Sequence, residues 1–215
     1  MNIKQLLFPP KCIFCNRILT EEEEHICESC EREIRSIKLP TERQGAFFDE
    51  AYGFLPYSGA VRRAIHRYKY YGKIHYAEYF AANMTICYGR EEEALPDLVT
   101  AVPSNIGRVA KRGFDHSYLL AKKVGERLGV DTKHLLKKTE ATTPMYGLKA
   151  EQRRANIRGS VGFLGNVQEI KDKHILLVDD IFTTGSTASE CARVLKAAGA
   201  KRVTVLVAAI TVKKK

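Results

Sequence analysis

The stretch Ile175-Leu-Leu-Val-Asp-Asp-Ile-Phe-Thr-Thr-Gly-Ser-Thr187 runs from apolar residues into two adjacent acids, then into hydroxyls grouped around one glycine. It reads as a buried strand that delivers Asp179 and Asp180 to its carboxyl end, followed by a turn and the start of a helix. In open α/β sheets, ligands bind at the carboxyl ends of the strands. A helix N-terminus adds unpaired N–H groups and the positive end of its dipole, which suits a phosphate. Gly185 lets the backbone turn tightly and approach a ligand. Thr183, Thr184, Ser186 and Thr187 add hydroxyl donors. The stretch is not a P-loop, because the lysine of that motif is missing and the acids precede the glycine. Two carboxylates beside an anion site make sense only for a ligand that also presents donors. A 5-phosphorylated ribose does so, with its phosphate in the Thr183–Thr187 cradle and its 2- and 3-hydroxyls on Asp179 and Asp180. A plain capped helix is the competing reading, since Asp and Thr cap well. It leaves the conjunction of paired acids with Thr-Thr-Gly-Ser-Thr to coincidence.

Working outward, the pattern predicts strands at His174–Val178 and Val203–Ala209, with a helix over Ser186–Ala198 stopped by Gly199. Upstream, Leu98–Val102 reads as a short strand ended by Pro103-Ser104. Leu120, Val124 and Leu128 recur at helical spacing within Ser117–Leu128, and Gly129 stops that helix. His134–Leu136 reads as a short strand. The polar segment Glu140–Gly159 reads as a long loop with a partial helix, and such loops in compact domains are usually functional lids. Nearer the N-terminus, Phe47–Tyr57 has strand-like aromatic content. Gly59–Tyr68 and His75–Tyr88 read as helices separated by Tyr70-Tyr71-Gly72. Strands alternating with helices imply an α/β fold, a parallel twisted sheet with helices on both faces. The expected division is a small module at residues 1–44 and the α/β domain at 45–215.

Four of the six cysteines form Cys12-Ile-Phe-Cys15 and Cys27-Glu-Ser-Cys30. Each CxxC turn places two thiolates on one side of a knuckle, and two knuckles close a tetrahedral shell around Zn²⁺. Little else in the first 40 residues offers a core, so metal supplies much of the folding energy. The larger domain is therefore expected to stay folded when the module loses its zinc. Two disulfides are the alternative, which a reducing compartment disfavours. Cys87 and Cys191 lie in apolar helical patterns and read as packing residues. Glu31–Lys38 reads as a short polar helix and Pro40–Gly45 as a linker.

No apolar run reaches the roughly 18 residues of a membrane helix, and the N-terminus does not read as a signal peptide. The expectation is a cytoplasmic protein with no membrane insertion. The net charge of +10 is unevenly distributed: residues 101–160 hold 13 basic and five acidic side chains, whereas residues 1–44 are nearly neutral. A basic stretch attracts polyanions, and a solvated basic face explains the same composition.

The Asp179–Thr187 segment resembles the phosphoribosyl-pyrophosphate signature of type I phosphoribosyltransferases. The chain as a whole resembles the ComF family, also called competence protein F or ComFC. The resemblance takes in the double CxxC, Tyr68-Lys69-Tyr70-Tyr71-Gly72, Val102-Pro103 and Lys111-Arg112-Gly113-Phe114. It continues through Leu148, Arg153 and Asn156 to the signature itself. Asp115-His116 stands where that family usually has Asn-Gln, and Met145 where it often has Gln. The resemblance implies a type I phosphoribosyltransferase fold preceded by a zinc ribbon. It places the pyrophosphate at Pro103-Ser104, with charge from Lys111 and Arg112, a lid carrying Arg153 and Arg154, and Mg²⁺ arriving with the ligand. Asp179, Asp180 and Arg153 are the catalytic candidates. Transfer would rest on neutralising the leaving pyrophosphate and excluding water. Two readings of function stand. In one, the pocket belongs to a DNA-uptake protein that handles single-stranded DNA and docks a competence helicase or another uptake protein through the zinc module. In the other, it is a working phosphoribosyltransferase of nucleotide or base salvage. Any DNA contact is expected on the basic 101–160 stretch.

Overall fold

The computed structural model describes residues 9–35, 45–92, 94–139 and 159–211. After a four-cysteine module that ends in α1 (Glu28–Arg35), the chain forms β1 (Glu50–Pro56), α2 (Gly59–Tyr70) and α3 (Tyr76–Glu91). It continues through β2 (Leu98–Ala101), α4 (Ile106–Arg112), α5 (His116–Leu128), β3 (Leu136–Lys138) and β4 (Val161–Phe163). The last elements are α6 (Val167–Ile170), β5 (His174–Phe182), α7 (Ser186–Ala197) and β6 (Arg202–Ile210).

A four-stranded sheet in the order β1-β6-β5-β2 carries the domain, and every pairing in it is parallel. Alternation along β5 sorts the core into two layers, as a pleated strand requires. Leu176 and Val178 face α3 and α5, where Phe80, Met84, Leu120 and Val124 are buried. Ile175 and Leu177 face α7, where Cys191, Ala192 and Leu195 are buried. Helices therefore cover both faces. Cys87 and Cys191 are buried, as their apolar settings imply. Among the described residues, no helix is long and apolar enough to cross a membrane.

The structure departs from the sequence pattern in several places. β5 continues four residues beyond Val178, because its backbone keeps pairing with β6 at Ile181↔Ala209 and Phe182↔Ile210. The acid pair thus lies within the strand's last turns of pleat rather than after it. The short strand near residue 135 is Leu136–Lys138, paired antiparallel with β4. The polar helix begins earlier than its charges suggest, at Glu28, on the second CxxC knuckle. Helix α4 has no buried residue and hence no apolar period to reveal it. Its ends are set by polar chemistry, since the Asn105 side chain accepts from Arg108 N and Gly113 closes it at φ 84°.

The cysteine module does not stand apart. Ile13, Phe14 and Leu19 are buried in the same core as Phe80 and Tyr68. Phe14 meets Tyr79 edge to face at 5.7 Å, and Arg67 donates to the carbonyls of Ile13 (2.6 Å) and Phe14 (2.9 Å). With a shared core, unfolding of the module exposes apolar surface of the α/β domain.

Candidate functional site

β2 stops level with Val178, and Val102 N makes a last bond to Val178 O at 2.9 Å. Asp179 and Asp180 therefore emerge beside an open edge at the carboxyl end of the sheet. The Pro103-Ser104 turn lies across that opening and is fixed by Asp115. The Asp115 carboxylate caps α5 by accepting from Ser117 N and Tyr118 N, both at 3.1 Å, and also accepts from Ser104 Oγ at 2.8 Å. One acid thus ties the turn to the helix whose first residues face the pair.

Each member of the pair has its own partners. Ser117 Oγ donates to Asp179 Oδ1 at 2.9 Å, and the Asp180 amide donates to the same oxygen at 2.9 Å. Asp180 Oδ2 lies 2.7 Å from Lys69 Nζ and 3.1 Å from His116 Nε2. Arg112 contacts His116 Nδ1. A guanidinium only donates, so the ring's own proton sits on Nε2, toward Asp180. Tyr68 Oη donates to His116 O at 2.6 Å and holds the helix start against α2. Burial and the charge of Asp180 push the Asp179 carboxyl up to about 7. For Asp180, burial also opposes ionisation. The nearby charge of Lys69 and the bond from His116 outweigh it and hold the group at about 2. The site in this state holds one firm anion and one carboxyl poised near neutrality.

A cavity of about 310 Å³ opens over this arrangement. Of the expected ligand contacts, Pro103, Ser104, Arg112, Asp179, Asp180 and Thr183 line it. Arg108 of α4 and Lys138 of β3 line it as well. Lys111 is exposed on α4 and is not part of the wall. Thr184, Gly185, Ser186 and Thr187 also stand outside the wall, at the mouth beyond Thr183, where α7 begins. Gly185 has φ 76° there, and a Cβ on it would sit 2.5 Å from Phe182 Cζ. Thr184 Oγ1 and Ser186 Oγ pair at 2.9 Å. The cradle is thus a glycine-dependent turn at a helix N-terminus, as its sequence implies. Arg153, Arg154, Met145, Leu148 and Asn156 lie outside the described residues. The two stems of that segment are joined: Thr139 N bonds Ser160 O at 3.0 Å, and Gly159 N bonds Glu190 Oε1 at 2.7 Å. Lys138 on the pocket wall immediately precedes the first stem.

Lys69, His116 and Ser117 are contacts for which the residue pattern assigns no role, although the family resemblance takes in Lys69 and departs at His116. A signal exists for two of them: Asp115 before an apolar helical repeat marks a cap, which places residues 116 and 117 in the first turn. Lys69 follows Tyr68 on the flank of a buried helix face, a position that ordinarily reads as solvated.

The module's four thiols bring their sulfurs within 4.8 Å of one another. Cys15 and Cys27 Sγ are 3.6 Å apart, and Cys12 Sγ accepts from Cys27 N at 3.4 Å. A tetrahedral zinc shell with Zn–S near 2.3 Å has edges of about 3.8 Å, so the set fits zinc. The cysteines are not paired as disulfides.

Two protein-family models match, the double zinc ribbon domain over residues 3–45 and the phosphoribosyl transferase domain over residues 109–214. Along the chain, the zinc-ribbon match is followed by a fold of the phosphoribosyltransferase type. Among curated proteins it is similar to competence protein F of Haemophilus influenzae, 29% identical over 112 residues, which is 52% of this chain and 49% of that protein. It is 35% identical to the DNA utilization protein YhgH of Escherichia coli O157:H7 over 112 residues, covering 52% of this chain and 48% of that one. The chain spans about half the length of the curated relatives it matches. These relatives bear out the resemblance read from the motifs. Similar solved structures include an allosteric regulatory enzyme of purine biosynthesis, with a TM-score of 0.44 and 20% identity. That match covers 66% of this chain and 29% of the enzyme. A purine phosphoribosyltransferase from Pyrococcus horikoshii Ot3 has a TM-score of 0.39 and 14% identity over 67% of this chain and 86% of its own.

Proposed function

We propose that the cavity binds phosphoribosyl pyrophosphate or a related ribose phosphate together with Mg²⁺, and that the chain serves DNA uptake and use in the cytoplasm. The observation that carries this reading is the acid pair at the end of β5. Asp179 and Asp180 offer acceptors for two ribose hydroxyls, with Arg108 and Arg112 across the opening and a phosphate turn beside it. The 5-phosphate takes the Thr183–Thr187 turn. The pyrophosphate lies toward Ser104 and Arg112, and the Mg²⁺ it brings adds charge compensation. Lys69 keeps Asp180 ionised and ready to accept. The names of the curated relatives support the biological setting of DNA utilization, with single-stranded DNA and the uptake machinery as partners.

Thermal melting with and without phosphoribosyl pyrophosphate and Mg²⁺ tests the binding claim, since a ligand of the folded state alone raises the melting temperature. Asp179→Ala and Thr184→Val should each remove much of the shift. No shift in the unaltered protein, or an undiminished one in both variants, sinks the assignment. Pyrophosphate release across a panel of bases then separates the salvage enzyme from a binding protein.

A further inference from the structure

A second, larger depression lies outside the ribose-phosphate cavity. It is a groove of about 1010 Å³ between the zinc ribbon and α2, and it shares Tyr57, Lys69 and Tyr70 with the cavity wall. Its charge is one-sided. Between Glu50 and Glu78 the chain has five Lys or Arg residues and no acid. Arg62, Arg63 and Lys73 from this stretch line the groove, and Lys11 of the ribbon faces them. Among the described residues, none of these four makes an ion pair with a carboxylate.

The contrast with the basic 101–160 stretch is direct. There Lys122 pairs with Glu126, Lys123 and Arg127 with Glu78, and Lys133 with Glu169. The excess counted in that sequence is partly cancelled by Glu78 and Glu169 from other elements, whereas among the groove's cations only Lys69 has a carboxylate partner, Asp180, among the described residues. The groove also presents rings. Tyr70 and Tyr71 are 56% and 65% exposed, an unusual outlay for large aromatic side chains. His66 clusters with them at ring separations of 4.8 Å and 5.6 Å. Cations without a carboxylate partner among the described residues, set beside exposed rings, are what an unpaired strand needs: charge for its phosphates and platforms for its bases. Tyr71 is the open platform, and Tyr70 carries the Arg112 guanidinium 5.0 Å from its ring centre. A duplex hides its base faces and has no use for the rings.

We propose that this groove holds a single-stranded nucleic acid, with Arg62, Arg63, Lys73 and Lys11 along its backbone and Tyr71 stacking its bases. The shared wall leads the strand to the rim of the ribose-phosphate cavity. The inference rests on the DNA-handling part of the proposed function and gives that partner a surface. Helix α2 is about 18 Å long, room for a few nucleotides.

The test is fluorescence anisotropy with a labelled 20-residue oligothymidylate, a hairpin duplex of equal charge and unlabelled polyglutamate as competitor. The oligothymidylate should bind more tightly than the duplex and resist polyglutamate. Arg62→Glu with Arg63→Glu should weaken binding at least tenfold and flatten the salt dependence by about 1.4 in log–log slope. Tyr71→Ala should weaken it roughly tenfold. Lys111→Glu, away from the groove, should bind within about twofold of the unaltered protein. The altered positions are exposed, so melting temperatures should hold, and the Arg62→Lys, Arg63→Lys pair should keep most of the affinity. Groove variants that bind like the unaltered protein, preference for the duplex, or absence of strand binding each overturn the proposal. Displacement by polyglutamate as effective as by oligothymidylate reassigns the groove to an acidic protein and overturns it too. The phosphoribosyl pyrophosphate melting shift, measured on the same preparations, keeps the two claims apart. Strand binding without that shift sinks the cavity reading alone, and the shift without strand binding sinks the groove alone.

Discussion

Replacing Lys69 by methionine keeps most of the side-chain volume and deletes the charge 2.7 Å from Asp180 Oδ2. The Asp180 side chain is 4% exposed and that of Lys69 19%, so water replaces little of the lost partner. Orphaning one member of a buried ion pair costs about 3–5 kcal/mol. His116 Nε2 stays 3.1 Å from the same oxygen, and that remaining polar neighbour argues for the lower end, about 3 kcal/mol. For a domain of this size that is a fall of roughly 6–12 °C in melting temperature. The pH dependence has a definite sign. In the unaltered protein, Asp180 is depressed to about 2. The stability it contributes is complete above its ordinary carboxylate value and lost as pH falls through about 2. Without Lys69, burial raises the group instead. The deficit of Lys69→Met is then largest near pH 7–8 and shrinks on acidification, as the stranded carboxyl takes up a proton. Urea unfolding followed by circular dichroism at pH 5 and pH 7.5 measures both effects. Adding Asp180→Asn should recover part of the loss, with a coupling of about 2 kcal/mol between the two positions. Strictly additive effects, or a single variant within about 0.5 kcal/mol of the unaltered protein, would refute the ion-pair argument.

Three further outcomes follow from the geometry. Cys12→Ser should release close to one zinc per chain by metal analysis. Because Ile13 and Phe14 lie in the shared core, it should lower the main unfolding transition instead of adding a separate early one. Gly185→Ala forces a Cβ onto a residue at φ 76° and 2.5 Å from Phe182 Cζ. That should cost about 1–3 kcal/mol in urea unfolding and weaken phosphoribosyl pyrophosphate binding, and an unchanged protein would argue against the cradle. Asp179 accepts ribose hydroxyls as an anion and titrates near 7. Affinity measured by calorimetry should therefore rise with pH through about 7 and fall by up to roughly tenfold per pH unit below it. Asp179→Asn should flatten that profile.

Much of this protein is legible in one dimension because its strongest signals are local. A buried strand, paired acids, a glycine turn and a helix start are consecutive from Ile175 to Thr187, and each is set by backbone rules that act over a few residues. The zinc ligands are equally local, since CxxC spacing fixes each knuckle. Helix α4 escaped because its ends depend on the Asn105 cap and Gly113 instead of an apolar stripe. Lys69 and His116 escaped for a different reason. They lie 111 and 64 residues before Asp180, and only the packing of α2 and α5 against the sheet brings their nitrogens to one carboxylate oxygen. Charge shows the same division. A count along the chain locates an excess at residues 101–160, but electrostatic energy depends on distance in space. In the fold, Glu78 and Glu169 neutralise part of that excess. The acid-free run from Ala51 to Ala77 meets Lys11 across a groove that sequence spacing does not describe. Sequence alone determined the binding chemistry of the strand end and of the zinc knuckles, because those contacts are made by neighbours. Tertiary structure decided which cations remain unpaired and which carboxyl keeps its charge, because those depend on elements that meet only after folding.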